Sequence, residues 1–157
     1  MILFLMVYTL MADQSESEPN GNRSIADGPI NFNETLTGGL PGTWGGDSLP
    51  IDFWSFNGKY DGIHDTTYTF IATAQNCDPT SSPLDLALWI VDSGGGELEI
   101  SDSGRECDPE TISWKCDNPD TYFLIVYQHL GTPIYTSWYN ITCQESTNSG
   151  MDDWFLY

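Results

Sequence analysis

No stretch of this chain carries a long helical period of apolar residues. Short runs rich in β-branched and aromatic residues alternate instead with turn-forming clusters: Gly38-Gly39, Gly45-Gly46-Asp47, residues 78–83, Ser93-Gly94-Gly95-Gly96, residues 117–120 and Gly131-Thr132-Pro133. Gly, Pro, Asn and Asp supply the backbone angles that reverse a chain, and β-branched side chains fit a pleated surface, so the pattern predicts short strands at even spacing. An all-β sandwich or barrel follows, with helix nearly absent.

The strands are expected near Ile30 to Thr37, Ile51 to Asn57, Thr66 to Ala74, Leu84 to Val91, Glu97 to Ser101, Thr111 to Lys115, Tyr122 to His129 and Tyr135 to Cys143. Side chains alternate along a strand, so Leu84, Leu86, Leu88 and Ile90 share one face, as do Tyr122, Leu124 and Val126. These two strands are expected at the centre. Trp54 and Phe56 likewise share a face, and Asp52 stands beside Asp47 where a carboxylate-rich turn enters that strand. Two carboxylates at a strand entrance suggest a cation.

Only 4 Lys and Arg stand against 23 Asp and Glu, a formal charge of −19, so nucleic acid is excluded as a routine partner and divalent cations are favoured. At 157 residues the chain has the length of one ordinary domain. Cys77, Cys107, Cys116 and Cys143 form no C-x-x-C pair, which argues for disulfides in an extracellular, oxidising compartment rather than for a redox motif or zinc ribbon. If successive strands run antiparallel, only Cys77–Cys107 with Cys116–Cys143 keeps both partners at one end of the sandwich. Asn22, Asn33 and Asn140 begin glycosylation sequons.

Residues 1–12 form an apolar arm, too short for a bilayer span of about 20 residues. No basic residue precedes it and Leu10-Met11-Ala12 is a poor cleavage site, so it is an imperfect leader. An acidic linker is expected over 13–29, the sandwich over 30–144 and a C-terminal tail over 145–157.

Several motifs occur in a fixed order: Glu18-Pro19-Asn20, Gly46-Asp47 with Asp52-x-Trp54-x-Phe56, Tyr68-Thr69-Phe70, Asp85-Leu86-x-Leu88-x-Ile90-x-Asp92, Ser101-Asp102-Ser103-Gly104, Tyr122-x-Leu124-x-Val126 and Tyr139-x-Ile141-Thr142. Together they resemble the bacterial pre-peptidase C-terminal domain, which is similar to the collagen-binding domains of clostridial collagenases. The resemblance implies a jelly-roll-like antiparallel β-sandwich of about eight strands, usually appended to secreted peptidases. It also implies calcium held by Glu16, Glu18 and Asn20 from the N-terminal run with Asp47 and Asp52 from the loop and strand. Gly21 stands where the relatives carry an Asp, and residues 48–51 lengthen the gap between the two loop carboxylates.

Neither His64 nor His129 lies in a nucleophile or zinc pattern, and no G-x-S-x-G elbow, P-loop or dinucleotide fingerprint occurs, so the chain reads as no enzyme. Trp89, Trp114 and Trp138 fall on outward phases and offer a stacking platform. Two functions fit. In one, Ile2, Leu3, Phe4, Leu5, Val7 and Tyr8 add as a strand to the next copy, giving a homo-oligomeric, calcium-stabilised extracellular filament. In the other, the chain is a secreted accessory module that binds a glycan or a fibrous protein such as collagen. The first is the favoured expectation.

Overall fold

The computed structural model describes residues 14–16, 21–40, 51–62, 64–81, 83–130 and 137–147. Its strands are β1 (Gln14–Ser15), β2 (Thr35–Leu40), β3 (Ile51–Asn57), β4 (Thr66–Ala74), β5 (Asp85–Val91), β6 (Glu97–Ser101), β7 (Glu110–Cys116), β8 (Thr121–Leu130) and β9 (Ser137–Thr147). The helix among the described residues is one 3-10 turn, Arg23–Ile25, capped by the Asn22 side chain.

The strands form two sheets, ordered β1-β2-β9-β4-β7 and β3-β8-β5-β6. From β2 onward the chain alternates between the sheets except at the β5–β6 hairpin, and each sheet places a late strand between early ones. That is the double Greek key of a jelly roll, with β1 added in parallel at one edge. The alternation expected from the sequence sets the core: Leu84, Leu86, Leu88, Ile90, Tyr122, Leu124 and Val126 all lie inside. Phe56 is its hub, with ring centroids 5.2 Å from Phe70, 5.3 Å from Tyr68 and 5.7 Å from Tyr122.

Three expectations need correction. Gly38 and Gly39 do not form a turn but continue β2, pairing with Tyr139 and Trp138 of β9. Trp114 faces inward, because Glu110, Ile112, Trp114 and Cys116 share the core phase of β7 while Thr111, Ser113 and Lys115 point out; its ring lies 4.5 Å from Tyr122. Finally, Cys77 and Cys107 are bonded, but Cys116 and Cys143 are free and buried. Cys116 sits opposite Thr66 and Cys143 opposite Phe70, on the two flanks of β4. Strands are about 4.8 Å apart, so an intervening strand alone puts these cysteines beyond the roughly 7 Å reach of a disulfide. The last strand, expected to end at Cys143, runs on to Thr147 as β9, which leaves that cysteine in mid-strand.

Parts of the expected linker are built into the sandwich. Gln14 and Ser15 pair with Leu36 and Thr37, and Asp27 bridges to β3 by exchanging backbone hydrogen bonds with Phe53 and Ser55.

Candidate functional site

Asp52 belongs to the inward phase of β3 with Trp54 and Phe56, and all three are fully buried. Burying a carboxylate is costly unless donors meet it. The Tyr139 hydroxyl donates to Asp52 Oδ2 at 2.7 Å and accepts from Trp54 Nε1 at 2.9 Å, so one phenol links both sheets. Burial, and after it the Asp52 charge, pushes the Tyr139 hydroxyl well above its usual range, which keeps it a neutral donor.

A second carboxylate comes to the same place from the N-terminal run. The parallel pairing of β1 continues as Glu16 N donates to Thr37 O at 3.1 Å, and the Glu16 side chain accepts from Gly39 N. Gly38 makes this approach possible: a Cβ there would overlap the Tyr139 hydroxyl and stand 2.8 Å from Glu16 Oε2. This accounts for a glycine at position 38 inside a strand, where the residue ordinarily weakens pairing. Of the five oxygens expected around calcium, the fold thus brings Glu16 and Asp52 to one phenol. Glu18, Asn20 and Asp47 lie outside the described residues, as do Ile2, Leu3, Phe4, Leu5, Val7 and Tyr8 of the arm.

The outer face of the five-stranded sheet differs from the core in every respect. Polar side chains dominate the outward phases of β2, β9, β4 and β7, with Ile71, Lys115 and Trp138 among them: Thr37 hydrogen-bonds Asn140 at 3.1 Å, and Thr69 hydrogen-bonds Ser113 at 2.9 Å. Trp138 stands on this face at 51% exposure, the most exposed large apolar side chain among the described residues. Gly39 opposite it adds no side chain to crowd the ring. On the other sheet Trp89 also points outward, but it is half-buried with its ring 4.8 Å from Tyr127. The sequence missed Gly38 and Tyr139 as site residues. The signal for Gly38 was present in the Gly38-Gly39 pair, which local turn chemistry explains equally well.

The sequon residues Asn22 and Asn33 sit on exposed backbone, whereas Asn140 is half-buried within β9. His64 is held in its turn by Asp61, whose carboxylate takes both its backbone N–H, at 2.6 Å, and its Nδ1, at 2.7 Å. Among the described residues no helix is long and apolar enough to cross a membrane.

The sequence matches no family profile and no curated protein. Among solved structures it is similar to the pre-peptidase C-terminal domain of a collagenase from Bacillus anthracis. That likeness covers 73% of this chain and 91% of that domain, with a TM-score of 0.50 at 13% identity. The chain has the fold of a pre-peptidase C-terminal domain. At this identity the likeness is one of architecture.

Proposed function

We propose that this chain is a non-enzymatic accessory module of a secreted protein, and that it binds a collagen-like fibrous protein across the outer face of its five-stranded sheet. The observation that carries the reading is Trp138, half exposed on a face otherwise made mostly of hydroxyl and amide side chains. A polyproline-type chain exposes proline rings, on which an indole stacks, and unpaired backbone carbonyls, which Thr and Asn side chains can engage. The collagenase origin of the structural neighbour and the Cys77–Cys107 disulfide support the same reading. A glycan would use the same ring and hydroxyls, so the test separates the two. The filament reading has no described residue behind it, since the arm that would add as a strand lies outside them.

Co-sedimentation of the full chain with insoluble collagen and with insoluble polysaccharide decides. The expected result is binding to collagen that weakens about tenfold or more in Trp138→Ala, as a central aromatic anchor would. Equal binding by Trp138→Ala, or binding to polysaccharide alone, contradicts it.

Calcium is part of the proposal. Glu16 and Asp52 present hard oxygens at the entrance of β3, the donor type this ion selects. Bound there, it would fasten the N-terminal run to the sandwich. Calcium is expected to raise the unfolding temperature of the full chain and to leave Asp52→Asn unchanged; an equal rise in both would refute the site.

A further inference from the structure

The outer end of the β5–β8 pair gathers three ligand-type side chains that the sequence keeps far apart. Asp85 opens β5, Asp102 directly follows β6, and His129 lies near the end of β8. The β5–β8 register slips at this point, Asp85 facing Leu130 and Leu86 facing Gln128, so His129 is the extra residue of a bulge. Bulges re-aim a side chain. Here the result is one atom each from Asp85, Asp102 and His129 within 4.8 Å of one another.

Asp85 sets this group apart from an ordinary acidic surface. It is only 6% exposed, and its Oδ1 is buried with no hydrogen-bond partner among the described residues. Burial, and then the charge of Asp102, pushes its carboxyl above the usual range, while the His129 imidazole pulls it down. A buried carboxylate oxygen without a donor is costly unless something positive meets it. The other two groups already face each other, with His129 Nδ1 at 2.6 Å from Asp102. Both are part-exposed, at 43% and 28% of their side-chain surfaces, so they have room to shift.

The frame around them is rigid. The Cys77–Cys107 disulfide and the Cys107 N to Leu84 O hydrogen bond of 2.9 Å fasten the 102–109 loop to the start of β5. Glu110 pins the same loop by accepting from Gly104 N at 2.8 Å and Ser103 N at 3.1 Å.

We propose that Asp85, Asp102 and His129 form a zinc site. One imidazole and two carboxylates suit zinc; calcium takes oxygen ligands and has no use for the ring. Zinc bonds of about 2.0–2.2 Å require the three ligand atoms to close to roughly 3.3 Å of one another, a movement the part-exposed His129 and Asp102 can make. The ion replaces the hydrogen now shared between Nδ1 and Asp102, the ring hydrogen then resides on Nε2, and water completes the tetrahedron.

Calorimetric titration of the full chain with zinc chloride, in excess calcium, tests this. Wild type and His64→Gln are expected to bind one equivalent, while Asp85→Asn and His129→Gln bind about tenfold more weakly or worse. Melting curves without metal should be no lower for Asp85→Asn than for wild type, so its loss of binding reports the ligand and not the fold. Absence of zinc uptake by wild type, or wild-type affinity in either Asp85→Asn or His129→Gln, overturns the site.

Discussion

Glu110 and Asp85 are neighbouring buried carboxylates with opposite fates. Glu110 is 1% exposed and accepts from the Ser101 and Ser103 hydroxyls and from the backbone of Ser103 and Gly104. Burial works to raise its pKa, but these donors outweigh it and the carboxyl lies below the usual range. Asp85 is 6% exposed, has no donor on Oδ1 among the described residues, and moves the other way. Burial alone therefore decides nothing about a carboxylate. The donors around it decide whether it holds a loop in place or waits for a cation.

The contrast can be broken most forcefully through the loop that serves both residues. Removing the disulfide with Cys77→Ala and Cys107→Ala frees a closure of 30 residues, and is expected to cost about 3–4 kcal/mol in denaturant unfolding. Glu110→Ala leaves two backbone N–H groups of the loop without their acceptor and should cost about 3 kcal/mol. Tyr139→Phe removes one donor from buried Asp52 and the acceptor from Trp54 Nε1, and about 2 kcal/mol is expected by the same measurement. Asp85→Asn should change stability by less than about 1 kcal/mol, and favourably, because it removes charge from a buried carboxylate whose Oδ1 meets no donor among the described residues.

Acid unfolding sharpens the comparison through its sign. Glu110 titrates below its ordinary 4.5 in the folded state, so its contribution is present above 4.5 and is lost as pH falls through the lower folded value. Asp85 titrates above its ordinary 3.8, so it holds a proton longer when folded, and its cost appears as pH rises from 3.8 through the folded value. Glu110→Gln should flatten the loss of stability below pH 4.5. Asp85→Asn should match wild type below 3.8 and exceed it above the folded value. The reverse order would contradict the assignment of donors.

Much of the architecture is legible in the residues because period-two burial is local: β3, β4 and β6 fall at their expected bounds, and the core faces of β5 and β8 are as read. Non-local geometry is what the sequence hides. Gly38-Gly39 is a turn signal that becomes strand because Tyr139 and Glu16 need the space above Gly38. The Cys116–Cys143 pairing fails because β4 separates the two strands, a fact of sheet order rather than of strand direction. His129 gains its carboxylate neighbours only through the bulge in the β5–β8 register and the loop after β6. Trp138, by contrast, is legible as outward from its own strand phase.

The proposed ligand face is tested most directly by the amide spectrum of the isotopically labelled full chain during titration with a triple-helical collagen peptide. The account predicts shifts centred on Thr37, Trp138, Asn140 and Thr142, which lie together across β2 and β9. Shifts confined to Trp89 and Tyr127 on the opposite sheet, or no shifts at saturating peptide, would contradict it.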